Sequence, residues 1–183
     1  MGKITFILGG ARSGKSSQAI KLVQGLSQKV AFVATCIARD VEMEERIENH
    51  KKNRPQHWQT FEVENKLSEF LKKITFKFDV LVVDCLTLFI SNLLCKGVEA
   101  DTVESEISKV LKSLKSANYK TIIVSNEVGL GIVPENKLGR DFRDLAGRIN
   151  QLVAAGADEV LFMVSGLALQ MKGGKDGKDK KNN

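Results

Sequence analysis

This sequence predicts an α/β domain: a three-layer, doubly wound, mostly parallel sheet covered by helices on both faces. Three observations carry that expectation. Five short runs are nearly continuous in apolar residues, which marks strands buried on both faces rather than one. The runs alternate with segments of helical pattern, the order that builds parallel sheets through crossover helices. The first run also leads directly into a glycine-rich loop that opens a helix-like stretch.

Taken in order, the strand candidates are residues 4–8, 30–35, 80–84, 121–125 and 159–164. The helix candidates are residues 15–25, 41–53, 65–73, 102–116 and 137–155. In the fourth helix, Val103, Ile107, Val110, Leu111 and Leu114 recur at helical spacing, as one buried stripe requires. The second helix is charged over most of its surface, and Met43 and Ile47 form its only apolar seam. It should fray near Arg54, because a residue preceding a proline avoids the α region. Both prolines, Pro55 and Pro134, fall in loops.

With 183 residues, the chain is long enough for one domain with a sizeable core. We expect a single nucleotide-binding catalytic domain over residues 1–171, followed by a disordered basic tail, 172–183. The tail has no apolar residue and carries five Lys and two Asp, so it supplies +3 of the net charge of +6. No apolar run approaches the roughly 20 residues that span a bilayer. Three scattered cysteines, Cys36, Cys85 and Cys95, form neither a disulfide framework nor a zinc pattern. They read as small buried residues of a cytoplasmic protein.

Gly9-Gly10-Ala11-Arg12-Ser13-Gly14-Lys15-Ser16 fits G-x-x-x-x-G-K-S between a strand and a helix. Residues without side chains let the backbone curl so that its N–H groups point at phosphate oxygens, and the helix N-terminus adds its positive end. Lys15 reaches the β- and γ-phosphates, and the Ser16 hydroxyl is a ligand for Mg²⁺. Val80-Leu81-Val82-Val83-Asp84 is an apolar strand closed by a carboxylate, the place for a second acid on the Mg²⁺ side. His50 lies on the second helix between Arg46 and Ile47 around the axis, which turns it toward the body of the protein. A neutral imidazole is a nucleophile toward phosphorus. Equally, a lone histidine beside an apolar seam is a common structural residue. His57, between Pro55 and Trp58, reads as a loop or packing residue. The stretch Ser125-Asn126-Glu127-Val128-Gly129-Leu130-Gly131-Ile132-Val133-Pro134 follows a buried strand and then passes through two glycines, where loops meet ligands or simply turn.

Together these residues resemble the bifunctional adenosylcobinamide kinase / adenosylcobinamide-phosphate guanylyltransferase family of cobalamin biosynthesis, over nearly the whole chain. Beyond the glycine loop, the specific marks are Val33-Ala34-Thr35; Glu42-Met43 with Arg46-Ile47; His50-Lys51 with Arg54-Pro55, Trp58, Thr60 and Glu62; Asp84-Cys85-Leu86-Thr87-Leu88; Asn92-Leu93-Leu94; Asn126-Glu127-Val128-Gly129; and the block from Arg140 to Arg148 with Asn150-Gln151. The resemblance implies a RecA-like P-loop fold, a tendency to form trimers, and two reactions. In one, ATP or GTP phosphorylates the aminopropanol hydroxyl of adenosylcobinamide. In the other, GMP passes from GTP to adenosylcobinamide phosphate through a covalent histidine, and pyrophosphate is released. The matching histidine is His50. By the same match, nucleotide contacts fall on residues 9–16, on Ala34, Thr35 and Cys36, on Lys51, Lys52, Asn53 and Arg54, and on Glu62 and Asp84. Three departures are Cys36, where Ala or Ser is usual, Val63, where a proline is common, and the lysine-rich extension.

Two other readings fit the glycine loop. A plain P-loop small-molecule kinase would have no covalent step. A RecA-like nucleic-acid ATPase would need a basic stripe with stacking aromatics. Here only 6% of residues are aromatic, with one Trp and one Tyr, and half the positive excess lies in the tail, so no nucleic-acid partner is expected. A GTP switch would need guanine-reading sequences that are not evident.

Overall fold

A computed structural model describes residues 2–38, 41–52, 54–74 and 77–173. Seven strands form one sheet: β1 (Ile4–Gly9), β2 (Val30–Ala34), β3 (Gln59–Glu62), β4 (Val80–Asp84), β5 (Lys120–Asn126), β6 (Glu159–Val164) and β7 (Leu167–Lys172). Their spatial order is β3-β2-β4-β5-β1-β6-β7, and every pairing is parallel except β6 with β7. The helices are α1 (Lys15–Gln24), α2 (Val41–Lys52), α3 (Leu67–Lys73), α4 (Leu86–Cys95), α5 (Ala100–Lys115) and α6 (Lys137–Gly156).

Alternation along the central strands explains the continuous apolar runs. Ile4 and Phe6 of β1, Ala31 and Val33 of β2, and Leu81 and Val83 of β4 enter one core. Their neighbours Ile7, Val30, Phe32, Val80 and Val82 enter the other. The two layers of helix are unequal. Buried side chains of α3, α4, α5 and α6 cover the first face, including Leu71, Phe89, Ile107 and Ile149. The second face is covered by Ala19 and Val23 of α1 and by Trp58, which stacks on Phe32 with ring centroids 6.3 Å apart.

The predicted α/β class holds, and all five strand candidates are present. Three elements went unpredicted. Helix α4 is apolar except at Thr87, Ser91 and Asn92, so its helical period is weak in the sequence. β3 is a four-residue edge strand paired only with β2. β7 is the opposite edge, antiparallel to β6 across a two-residue turn whose members, Ser165 and Gly166, both have positive φ. The dipeptide Ser165-Gly166 between two short runs was the available signal for that hairpin. The expected start of the tail also shifts: Lys172 closes β7, and its ammonium donates to the Ala154 and Ala155 carbonyls at 3.1 and 2.9 Å. Residues 174–183 lie outside the described residues. Among the cysteines, Cys85 is buried as expected, Cys36 is half-buried, and Cys95 is exposed. Among the described residues, no helix is long and apolar enough to cross a membrane.

Candidate active site

The parallel sheet gathers the site at its carboxyl edge. β1 ends at Gly9, the glycine loop follows, and α1 begins at Lys15. Two glycines here admit no side chain. A Cβ on Gly9 would lie 2.5 Å from the Met163 carbonyl oxygen. Gly14 has φ +95° and caps α1, and a Cβ there would stand 3.3 Å from the Gly166 Cα. The β6–β7 turn supports the loop directly, since the Gly166 N–H donates to the Ser13 carbonyl at 3.0 Å. Gly10 is half-buried, and Ala11 and Arg12 are exposed. Lys15 is buried, and its ammonium donates to the Gly10 carbonyl at 2.5 Å. The Ser13 hydroxyl is buried and has no hydrogen-bond partner among the described residues. A buried hydroxyl inside an amide-lined loop suits a phosphate oxygen.

Strand register sets the next residues in a row. Glu62 of β3 pairs with Ala34 of β2, and Ala34 pairs with Asp84 of β4. Burial pushes the Asp84 carboxyl above its ordinary range; a hydrogen bond from the Ser16 hydroxyl and the nearby His50, Arg54 and Lys15 pull it back. The glycine loop, the last turn of α2 and Arg54 beyond it therefore converge on one carboxylate. Ser16 and Asp84 together supply a hydroxyl and a carboxylate oxygen, hard donors of the kind Mg²⁺ takes beside phosphate oxygens.

His50 lies on the last turn of α2 and is exposed. This corrects the expectation that it turns into the body of the protein. The seam is real, since Met43 and Ile47 are half-buried. Its Ile47 faces a cavity of about 660 Å³ rather than the core, lining it with Ala34, Cys36, Glu48, Lys51 and Glu62. Lys51 bridges Glu62 at 3.3 Å and so ties the end of α2 to β3. Arg54 sits 3.9 Å over the Phe32 ring and donates to the Thr60 hydroxyl at 3.3 Å. Burial lowers the Arg54 guanidinium from its usual value, and Asp84 and Glu62 oppose the shift. Lys52 is exposed on the last turn. Asn53 lies outside the described residues.

Thr35 faces away from the cavity that its neighbours Ala34 and Cys36 line. It is fully buried, its hydroxyl donates to the Cys85 carbonyl at 2.6 Å, and that hydroxyl accepts from the Cys85 N–H at 3.0 Å. Asn92 of α4 donates to the Thr35 carbonyl at 2.8 Å. Thr35 thus fastens β2 to the end of β4, and its neighbours Ala34 and Cys36 face the cavity. The Cys85 thiol is pushed up to about 12, first by burial and then by Asp84, which leaves it protonated and inert. A buried polar chain lies beneath the site: Thr87 and Ser125 share a hydrogen bond at 2.9 Å, Ser125 donates to Asn150, and Asn150 donates to the Asn126 carbonyl. It joins α4, β5 and α6. The sequence marked Ser125 and Asn126 as the start of a loop that meets ligands or simply turns, and Thr87, Asn126 and Asn150 as marks of resemblance, but it did not show that they form one chain.

Against known proteins, residues 5–171 match the family model described as cobinamide kinase / cobinamide phosphate guanyltransferase. The chain belongs to this family. It is 39% identical over 178 residues to the bifunctional adenosylcobalamin biosynthesis protein CobU of Escherichia coli, an alignment covering 91% of this chain and 98% of that one. The CobU protein of Salmonella typhimurium is 40% identical over the same length and coverage. The bifunctional adenosylcobalamin biosynthesis protein CobP of Pseudomonas aeruginosa is 40% identical over 167 residues, covering 91% of this chain and 96% of its own. The family match spans all seven strands except the ends of β1 and β7, and so the whole carboxyl edge that carries the site.

Proposed function

We propose that this chain phosphorylates adenosylcobinamide with ATP or GTP and then transfers GMP from GTP to the resulting phosphate. The observation that carries this reading is the convergence on Asp84 of Ser16 and Lys15 from the glycine loop and of His50 from α2. In the first reaction the aminopropanol hydroxyl oxygen attacks the γ-phosphorus, the bond to the β-phosphate oxygen breaks, and the hydroxyl proton leaves. Lys15, the loop amides and the Ser13 hydroxyl hold the phosphoryl oxygens. In the second, an imidazole nitrogen of His50 attacks the α-phosphorus of GTP. An N–P bond forms, the bond to the β-phosphate oxygen breaks, and pyrophosphate leaves. A phosphate oxygen of the substrate then attacks the same phosphorus, the N–P bond breaks, and adenosylcobinamide-GDP is released. Bound at Ser16 and Asp84, Mg²⁺ would neutralise the phosphate charge.

On this reading the cavity beside α2 receives the guanosine end, with Ala34, Cys36, Lys51 and Glu62 on its wall. Residues 1–171 are then one catalytic domain, the protein works in the cytoplasm, and no nucleic acid is bound. The chain acts as a homo-oligomer, a trimer by family likeness. Leu167, Leu169 and Met171 on one face of edge strand β7 are 76, 58 and 61% exposed and offer an apolar stripe for such contacts. Leu169→Asp should reduce the sedimentation mass if that stripe joins the copies.

The decisive experiment is incubation with labelled GTP alone, followed by denaturation and peptide mapping. One acid-labile GMP on His50 is the expected result, lost in His50→Ala. Label that never survives denaturation would leave a plain kinase.

A further inference from the structure

We propose that the loop after β5, together with the first turn of α6, is the platform on which the corrinoid ring rests. This inference rests on the activity proposed above and assigns it a second binding surface. Leu130, Ile132, Val133 and Leu138 are 81, 96, 58 and 59% exposed, four large apolar side chains within nine residues. Single exposed apolar residues are ordinary, but four on one loop and the turn that follows it mark a surface that binds something.

The loop is held in shape rather than left slack. Arg143 of α6 donates to the Gly129 and Gly131 carbonyls. Arg140 donates to the Pro134 and Glu135 carbonyls at 3.1 and 2.5 Å. The Glu127 carboxylate accepts from the Gly129 N–H at 2.5 Å. Two arginines and a carboxylate therefore fix the backbone while the apolar side chains stand in water, as a preformed binding surface requires.

Its position selects the occupant. The Glu127 N–H donates to the Gly9 carbonyl at 2.9 Å, so the base of the loop is bonded to the first residue of the phosphate-binding loop. The reacting oxygen of cobinamide lies at the end of a short aminopropanol arm. When that oxygen meets a phosphate at residues 9–16, the ring must lie on protein next to them. A corrin ring presents broad apolar faces edged by amides, and this loop presents an apolar centre edged by Glu135, Asn136 and Arg140. The cavity beside α2 is walled by charged groups instead, Glu48, Lys51 and Glu62 among them.

The test is steady-state phosphorylation of cobinamide by the full chain carrying Leu130→Ser and Ile132→Ser, beside Ile132→Leu. Both positions are solvent-facing, so folding is undisturbed. The paired serines should raise KM for cobinamide about tenfold or more. The kcat and GTP-dependent labelling of His50 should stay at wild-type values, and Ile132→Leu should keep the wild-type KM. An active wild type whose KM ignores the serines overturns this inference alone. So does a fall in sedimentation mass on substitution, which would make the loop a contact between copies. A wild type that turns over no cobinamide overturns the activity and this inference together.

Discussion

At the carboxyl end of the sheet, Asp84 is held above the ordinary carboxyl range, chiefly by burial, against the pull of Ser16, His50, Arg54 and Lys15. At the amino end, Asp158 is held below that range. Burial there works upward but is outweighed by the Ile4 N–H, which donates to its carboxylate at 2.8 Å, and by Lys115 at 2.9 Å. Asp158 also donates its own N–H to the Ile4 carbonyl and so clips the start of β6 to the start of β1. One end of the sheet uses a carboxylate to hold strands together. The other keeps a carboxylate under conditions that disfavour its charge, surrounded by cations that a triphosphate would also attract. Such opposition of stability and chemistry is the usual mark of a reacting site.

Asp84→Asn should break this contrast most strongly. Both transfer reactions should fall by about 10²-fold or more, measured as kcat/KM, because the acid next to the phosphates is gone. Stability should move the other way. A carboxyl whose folded pKa is raised contributes its stability below the unfolded value and loses it as pH rises through the folded value. The variant should therefore melt above wild type at pH 7, and the gap should close as pH falls toward about 4. A variant that melts lower at pH 7 would mean that the charge of Asp84 supports the fold.

The Asp84 side of this contrast could be read from the sequence, and the Asp158 side could not. The continuous apolar runs announced strands covered on both faces, and the glycine loop announced the edge where the site lies. The missing pieces were those whose pattern depends on partners. Leu86–Cys95 shows only a weak helical period because α4 is enclosed between the sheet and other helices. Gln59–Glu62 is a strand only because β2 offers it an edge. The direction of His50 failed for a related reason. Met43 and Ile47 fixed which face of α2 turns inward, but a periodic seam does not reveal whether it meets a core or a cavity. Thr35 shows the same limit: its spacing beside Ala34 and Cys36 was plain, and its bond to Cys85, fifty residues on, was not.

Asp158→Asn sharpens the comparison from the other side. It weakens a charged hydrogen bond to Ile4 and removes the pair with Lys115, whose carboxylate is 39% exposed and screened by water. The expected loss is about 1 kcal/mol at pH 7, seen as a lower denaturation midpoint, with cobinamide turnover unchanged. A depressed carboxyl contributes stability above its unfolded pKa and loses it as pH falls through the folded one. The difference from wild type should therefore shrink only below about pH 4, whereas the Asp84→Asn gap, of opposite sign, closes above that pH.

The smallest stability effect belongs to Lys51→Met. The Lys51–Glu62 bridge is long and its side chains are 44 and 70% exposed, so breaking it should shift stability by less than about 0.5 kcal/mol. Both partners line the cavity beside α2, however, and a cation there that meets bound GTP has a role that thermal melting does not see. KM for GTP in the guanylyl transfer should rise several-fold while the melting temperature holds, the reverse of the pattern expected for Asp158→Asn. If Lys51→Met instead lowers the melting temperature and leaves KM alone, the bridge is a strut between α2 and β3, and the carboxyl edge holds one more structural pair than the contrast allows.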